Sequence, residues 1–289
     1  MFADRFPPRL TQPHVVRAFL ATSLGLSVLF AFGTAAGAST APGDPAGPKP
    51  TVVLVHGSWA DASGWNEVSK RLQHDGYPVL APANPLRGLA YDAAYLGSIL
   101  DTLPGPVILV AHSYGGAVIT NAAAGRANVV ALVYIAAMIP DADEDLIAGI
   151  SRFPGSLVVP PGAPGATLIA RPFPLPGGGT GIDTYLDAGP FRRIFAADVD
   201  AGTAALMAAA QRPLALSIFQ DRSQAAAWRT IPSWALVATA DNTIGTDNVR
   251  FMAQRATTNV VEVDSSHVAM ISKPGVVADL IRAADKATR

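Results

Sequence analysis

The stretch Leu109–Ala117, LVAHSYGGA, decides how the rest of the chain is interpreted. It places Ser113 directly after an apolar run and two residues before a pair of glycines. A serine at a sharp strand-to-helix turn presents its hydroxyl to a cleft, and such a turn needs small residues on either side because its backbone passes close to neighbouring segments. Gly115 and Gly116 meet that need after the serine. The stretch therefore predicts a buried strand that ends in a tight, serine-bearing turn.

Ala111 stands two residues before the serine, where this motif usually has glycine. That position requires small volume more than a positive φ, and a methyl group is the smallest departure from glycine, so the turn is expected to tolerate it. The sequence SYGG could also begin an ordinary helix, with the hydroxyl of Ser113 capping the first amides. The residues that accompany Ser113 must decide between the two interpretations.

Strands and helices alternate around this stretch. Short apolar, β-branched runs predict strands at 51–57 (TVVLVHG), 77–81, 106–111, 129–136, 233–239 and 259–264. Helical spacing of apolar residues predicts helices at 62–75, 91–103, 114–125, 246–255 and 274–287. Alternation of this kind implies parallel pairing through crossover connections. We therefore predict an α/β fold, with a mostly parallel, doubly wound sheet of about six strands.

The alternation breaks between Met138 and Arg229. Residues 153–181 are rich in proline and glycine, and three alanine-rich segments with helical spacing follow at 190–197, 202–211 and 214–228. We interpret residues 138–229 as a mainly helical lid, inserted after the strand that ends near residue 136.

The N-terminus predicts a secretory signal peptide. Arg5, Arg9 and Arg17 precede an uncharged run that ends in the small residues AAGA, so cleavage is expected after Ala38 and the protein is expected to be exported to the periplasm or the cell exterior. A retained membrane anchor stays open as an alternative, because residues 18–38 approach the length of a span. The predicted organisation is a signal peptide at 1–38, a linker at 39–50 and one domain at 51–289.

Composition excludes several classes of protein. The formal net charge is −1 and no block of lysine or arginine occurs, so nucleic-acid binding is not expected. Cysteine is absent, which excludes disulfides, thiolate catalysis and cysteine-ligated metals. The five histidines show no metal-ligand spacing, so no metal site is predicted.

Two further residues follow predicted strands. Asp241 comes directly after the strand at 233–239, and His267 follows the strand at 259–264. Because the carboxyl ends of parallel strands meet at one edge of a sheet, both side chains can converge on Ser113. A serine nucleophile needs a base and a carboxylate that orients the base, and serine, aspartate, histidine is the chain order typical of this architecture. We predict Ser113 as nucleophile, His267 as base and Asp241 as orienting acid.

Asp264 is the alternative acid. It precedes His267 by only three residues, which is too close along the chain to reach around to the far ring nitrogen. Of the other histidines, His112 is expected to pack behind the serine turn, His56 to tie loops together and His74 to lie on a solvated helix face.

Two backbone amides are candidates for an oxyanion hole, which stabilises the negative oxygen of a tetrahedral intermediate. The amide of Tyr114 begins the helix after the serine, at the positive end of its dipole. The amide of Ser58 follows Gly57, a residue that lets the chain turn close to Ser113. The sequence HGSW could also be a simple strand-ending turn.

Taken together, HGSWADASGWNEVSKRL, ANPLRGL, LVAHSYGGAVIT, ATADNTIG and SSHVAM resemble the α/β-hydrolase superfamily, in particular the small, lidded branch that includes plant methylesterases and hydroxynitrile lyases. The resemblance implies the triad Ser113, Asp241 and His267, oxyanion donors at Ser58 and Tyr114, and no cofactor. Hydroxynitrile lyases of this branch carry threonine and lysine where this sequence has Gly57 and Val268. The resemblance is therefore to the hydrolytic members.

The expected function is hydrolysis of carboxylic esters through an acyl-enzyme, acting on a small-molecule substrate with apolar groups. No stable membrane association is expected after the signal is removed. Lactone hydrolysis, perhydrolysis or carbon–carbon cleavage on the same site are alternatives, because one fold hosts many reactions. A binding protein that senses a small molecule is a further alternative. Neither the acyl and alcohol groups nor the oligomeric state can be derived from the sequence.

Overall fold

The computed structural model describes residues 48–289, so the predicted signal peptide and nearly all of the predicted linker lie outside the described residues. The strands are β1 (Thr51–Val55), β2 (Val79–Leu80), β3 (Val107–His112), β4 (Val129–Ile135), β5 (Leu168–Pro174), β6 (Thr180–Leu186), β7 (Leu214–Ala215), β8 (Ser233–Ala238) and β9 (Asn259–Val263). The helices are α1 (Asn66–His74), α2 (Leu89–Leu100), α3 (Gly115–Ala122), α4 (Leu146–Ile150), α5 (Ala188–Phe195), α6 (Ala201–Ala209), α7 (Thr246–Ala256), α8 (Ala269–Ser272) and α9 (Pro274–Thr288).

Six of the strands form one parallel sheet in the order β2-β1-β3-β4-β8-β9. The interior strands β3 and β8 are buried along their whole length, which is why their sequences are largely apolar rather than alternating. The prediction of an α/β fold with about six mostly parallel strands is confirmed.

All central strands point the same way, so their carboxyl ends form one rim. The register pairs Val55 with Ala111, and His112 with Ile135, which brings the segments that follow β1, β3 and β4 side by side. The loops after β8 and β9 join the same rim through the pairing of Ala238 with Val263. The topology thus brings the predicted site residues to one edge of the sheet.

The insertion at 138–229 differs from the predicted, mainly helical lid. It carries a second, antiparallel sheet in the order β5-β6-β7. Strand β5 contains Pro172 and Pro174, which an edge strand tolerates because one side of its ladder is unpaired. Three glycines at positive φ, Gly177–Gly179, turn the chain into β6. The proline and glycine content that suggested irregular structure instead builds a hairpin.

The two predicted lid helices at 190–197 and 202–211 occur as α5 and α6. Each begins at an aspartate whose carboxylate accepts a backbone hydrogen bond, Asp187 from Gly189 and Asp200 from Thr203. The helix predicted at 214–228 is wrong: strand β7 and two short 3-10 turns occupy that segment. Of the helices between residues 48 and 289, none has both the length and the apolar character needed to cross a bilayer.

Candidate active site

Ser113 lies on a strained turn between β3 and α3. Its φ is 55°, in the left-handed region that costs a side-chain-bearing residue about 1–3 kcal/mol. Its amide donates to the carbonyl of Ile135 at 3.3 Å and its carbonyl accepts from Met138 at 3.0 Å, so the end of β4 holds the turn in place. Helix α3 begins without any side-chain cap, so capping by Ser113 is not what the structure shows.

The turn explains the two glycines that follow. A Cβ on Gly115 would lie 2.8 Å from the carbonyl oxygen of Val55, and a Cβ on Gly116 would lie 2.2 Å from that of Met138. Both positions therefore exclude a side chain. Ala111 is fully buried within β3, and its methyl group is accommodated there.

His267 and Asp241 meet at the same rim. His267 Nδ1 lies 2.8 Å from Asp241 Oδ2, and both side chains are fully buried. The other oxygen, Oδ1, accepts from the amides of Thr243 at 2.8 Å and Ile244 at 3.0 Å. A carboxylate with these partners accepts the Nδ1 proton of the imidazole, which leaves Nε2 as the basic nitrogen. Asp264, the alternative acid, is exposed instead.

Nε2 of His267 is buried and has no hydrogen-bond partner among residues 48–289. Ser113 is 5 % exposed and follows His112, whose ring centroid is 4.5 Å from that of His267. His112 Nε2 donates to the carbonyl of His267 at 3.0 Å. The residue before the serine therefore supports the loop that carries the candidate base.

The two histidines behind the site are held neutral. Burial, with a smaller contribution from the neighbouring His267, keeps the pKa of His112 well below its ordinary value. Burial also lowers the pKa of His56 to about 4, and the positive charge of Arg212 adds to that effect. His56 Nε2 accepts from the amide of Asn84 at 2.9 Å, and its Nδ1 donates to the carbonyl of Gly57 at 2.9 Å. His56 thus ties two loops together.

The loop after β1 approaches Ser113 closely. A Cβ on Gly57 would lie 2.5 Å from the Cβ of Ser113 and 3.1 Å from its Oγ, so only glycine fits there. The amides of Ser58 and Tyr114 donate no hydrogen bond to any group of the described part of the chain. One amide follows Gly57, which contacts Ser113, and the other directly follows Ser113, so both belong to segments beside the serine and stay candidates for an oxyanion hole.

Asp92 supports the candidate site by binding the hydroxyl of Tyr114, and it was not predicted from the sequence. It is fully buried in α2, where its carboxylate accepts from the Tyr114 hydroxyl at 2.8 Å and from the amide of Arg87 at 3.1 Å. Burial raises the pKa of Asp92. The sequence did carry a signal: Asp92 lies three residues after Leu89 and four before Leu96, on the apolar face of its helix.

The insertion closes over the site. Helix α5 places Phe195 with its ring centroid 5.2 Å from that of His267, and Thr243 donates to the carbonyl of Ile194 at 2.9 Å. The hydroxyl of Ser266 binds the carboxylate of Asp198 in the α5–α6 connection. The residue beside the candidate base is therefore attached directly to the insertion.

A cavity of about 160 Å³ lies beside Trp59 and Phe195. Met207, Met270 and Ile271 also line it, and the side chains that line it are mainly apolar. Trp59 follows Ser58 along the chain, so this cavity borders the candidate oxyanion loop, and one of its walls, Phe195, packs on His267.

Comparison with known proteins agrees with this architecture. A carbendazim hydrolyzing esterase from Nocardioides sp. (strain SG-4G) is 34% identical over 111 residues, which cover 33% of this chain and 45% of that protein. The chain therefore aligns with less than half the length of this relative.

Two solved structures share the fold. Polyneuridine aldehyde esterase superposes with a TM-score of 0.68 at 17% identity, covering 81% of this chain and 99% of that one. A methylesterase from Arabidopsis gives 0.64 at 19% identity, covering 81% and 98%. The model of the alpha/beta hydrolase family matches residues 52–280, from the first strand to the last helix. The chain belongs to the alpha/beta hydrolase family.

Proposed function

We propose that this protein hydrolyses carboxylic esters of small molecules, with Ser113 as nucleophile, His267 as general base and Asp241 as the acid that orients His267. The observation that carries the proposal is the 2.8 Å contact between His267 Nδ1 and Asp241 Oδ2, which fixes the tautomer whose Nε2 can accept a proton. The strained serine turn adjacent to it supplies a hydroxyl that no helix cap uses.

The reaction has two halves. Ser113 Oγ attacks the ester carbonyl carbon while its proton passes to His267 Nε2, and the bond to the alcohol then breaks as His267 returns that proton to the leaving oxygen. Water next attacks the acyl-enzyme and gives one proton to His267. Ser113 departs and recovers that proton, and the carboxylic acid is released. Asp241 stabilises the charged imidazole in both halves.

The negative oxygen that forms in each half needs hydrogen-bond donors. The amides of Ser58 and Tyr114 have no partner in the described part of the chain, so they can serve without losing another bond. A donor of this kind contributes on the order of 3 kcal/mol to the transition state. The hydrogen bond from Tyr114 Oη to the buried Asp92 holds the Tyr114 side chain in place, and with it the position of the Tyr114 amide.

The substrate proposed here is an ester with an apolar group. The cavity beside Trp59 and Phe195 is mainly apolar, and similar proteins include an esterase that hydrolyses carbendazim and a methylesterase. The burial of His267 keeps bulk water from the reacting atoms, which strengthens the electrostatic interactions within the site.

Labelling with a fluorophosphonate probe tests the nucleophile. We expect one covalent adduct on Ser113, located by mass spectrometry, and we expect Ser113→Ala to abolish it and to lower hydrolysis of a p-nitrophenyl acyl ester at least about a thousandfold. Ser98→Ala is the matched control, since Ser98 is exposed on α2 and its hydroxyl donates to the carbonyl of Tyr95, one turn away on the same helix. Folded protein that stays unlabelled, or equal turnover by Ser113→Ala, would refute the assignment.

A further inference from the structure

A second and larger cavity, of about 900 Å³, lies against the hairpin of β5 and β6. Its walls come from four places: the loop 85–87 after β2, Tyr91 of α2, the hairpin itself and the segment 212–220. Nothing in the proposed mechanism uses it. Its chemistry differs from that of the cavity beside Phe195, because arginine side chains take part in the wall.

Most of the wall is apolar. Phe173, Leu175 and Ile182 contribute from the hairpin, and Leu216 contributes from the opposite side. Leu175 is 42% exposed, which is high for a side chain of this size. A cavity of this volume with such a wall suits a flexible apolar chain or a ring.

Two arginines line the cavity, and they differ in one respect. The charge of Arg87 is neutralised by Asp183, because Nη1 lies 2.5 Å from Asp183 Oδ1. The same guanidinium also stacks 4.8 Å from the ring centroid of Phe173. Arg212 makes no ion pair and no side-chain hydrogen bond among residues 48–289, and its Nε is buried without a partner. A partly buried guanidinium without partners leaves hydrogen-bonding capacity unused at a cost in free energy.

A hydrogen bond connects the wall of this cavity with the candidate site. The amide of Asn84 donates to His56 Nε2 at 2.9 Å, and the next residue, Pro85, lines the cavity together with Arg212. His56 precedes Gly57, whose Cα approaches Ser113 so closely that a Cβ would lie 3.1 Å from Ser113 Oγ. The cavity wall that carries Arg212 is therefore attached to the loop that borders the reacting hydroxyl.

We infer that Arg212 binds a carboxylate at the far end of the acyl chain, so that the preferred substrates are half-esters of dicarboxylic acids with an apolar chain between the two ends. The inference rests on the proposed ester hydrolysis. A guanidinium matches a carboxylate with two parallel N–H to oxygen bonds, and the apolar wall accommodates the chain between the two acid groups.

The test compares matched pairs of p-nitrophenyl esters. The half-esters of adipic, suberic and sebacic acid are set against the hexanoate, octanoate and decanoate esters, which differ only in the terminal carboxylate. We expect kcat/KM to favour at least one half-ester about tenfold over its neutral counterpart. Arg212→Gln should remove that preference while it changes turnover of the neutral esters less than about threefold, and Arg212→Lys should retain part of it.

Arg193→Gln is the matched control, because Arg193 is exposed on α5 and its loss removes one positive charge from the same insertion outside the cavity wall. We expect the half-ester preference to survive in this variant. Equal effects of both variants would assign the preference to net charge and overturn the inference. So would an equal loss of both substrate types in Arg212→Gln, or no preference in the unaltered protein.

A binding measurement separates this inference from the proposed function. Suberic acid monomethyl ester and methyl octanoate are titrated by calorimetry into Ser113→Ala, with and without Arg212→Gln. We expect saturable binding of the acidic ligand that weakens about tenfold without Arg212, and weaker binding of the neutral ligand. If binding depends on Arg212 but the unaltered protein turns over no ester, the proposed function alone is contradicted. If ester is turned over but binding does not depend on Arg212, this inference alone is contradicted.

Discussion

The parallel sheet and the insertion at 138–229 are built on different principles. Strands β3 and β8 of the sheet are buried throughout, and each is flanked by helices that cover it. The insertion leaves large apolar side chains in solvent, with Leu206 73% exposed and Leu175 42% exposed. Both regions share one core, since Phe191, Ile194 and Phe195 of the insertion are buried in the same cluster as the strands. The insertion nevertheless carries five of the eight large apolar side chains that are exposed in the described part of the chain.

The two regions accordingly have different roles at the candidate site. Every group in the proposed chemistry, from Ser58 to His267, lies at the rim of the sheet, where backbone strain and buried hydrogen bonds fix its position. The insertion contributes the surroundings: Phe195 against the base, Asp198 on Ser266, and Arg212 in the larger cavity. We therefore expect changes at the rim to affect the rate, and changes in the insertion to affect which substrate binds.

The largest effect is expected for Asp241→Asn. An asparagine keeps the shape of the side chain, but its amide nitrogen can face His267 and favour the wrong tautomer, so kcat should fall on the order of 10³- to 10⁴-fold. The measurement is steady-state turnover of a p-nitrophenyl ester, with thermal unfolding to show that the variant is folded. Asp264→Asn is the matched control, because that carboxylate is exposed beyond β9 and should matter little. A larger loss in the control would make Asp264 the acid.

The sequence predicted the sheet well because its signals are local. An apolar run such as Val107–His112 specifies a buried strand by composition, and the serine and glycines after it specify the turn. The positions of Asp241 and His267 followed from one rule, that parallel strands end at a common edge. The chain order then identified the partner of the histidine, and the structure brings those two residues together.

The insertion could not be predicted equally well, because its order depends on distant contacts. Strand β5 contains two prolines and pairs with β6 across a glycine turn, which no local preference indicates. The partner of Tyr114 is Asp92, 22 residues away, and the lack of a partner for Arg212 Nε within residues 48–289 is a property of the folded chain alone. Such features follow from packing that a single sequence does not display.

Acid should weaken the sheet before it weakens the insertion. The folded pKa of His56 is about 4 against an ordinary value of 6.5, so between these values the unfolded chain binds a proton that the folded chain does not. The titration of His56 therefore leaves the free energy of unfolding unchanged well above pH 6.5 and lowers it as the pH drops through this window. By pH 5 the reduction is about 2 kcal/mol. Residues 138–229 contain no histidine, so no group of this kind titrates in the insertion between these two pH values.

Urea unfolding at pH 7 and pH 5 measures this difference. His56→Gln keeps a donor and an acceptor but cannot titrate, so the loss of stability between the two pH values should be about 2 kcal/mol smaller in the variant than in the unaltered protein. His74→Gln, with a solvent-exposed ring, should leave the pH dependence unchanged. The same pH dependence in all three proteins would show that His56 is not held neutral by the fold.

The smallest effect is expected where the two regions touch. Trp59 Nε1 donates to the carbonyl of Thr184 in β6 at 3.1 Å, which joins the candidate oxyanion loop to the insertion. Trp59→Phe keeps an aromatic ring and removes that bond, so the free energy of unfolding should fall by about 1 kcal/mol and Tm by about 2–4 °C.

Trp228→Phe is the matched control. It removes a similar bond, from Nε1 to the carbonyl of Pro140 at 2.8 Å, which lies within the insertion and does not involve the loop that carries Ser58. Both variants should lose similar stability, but only Trp59→Phe should raise KM, by up to about fivefold, because it alone frees the insertion from the loop beside the reacting hydroxyl. An equal rise in KM in both variants would mean that the insertion responds as a whole, and the division between a rim that sets the rate and a cover that sets the substrate would then not hold.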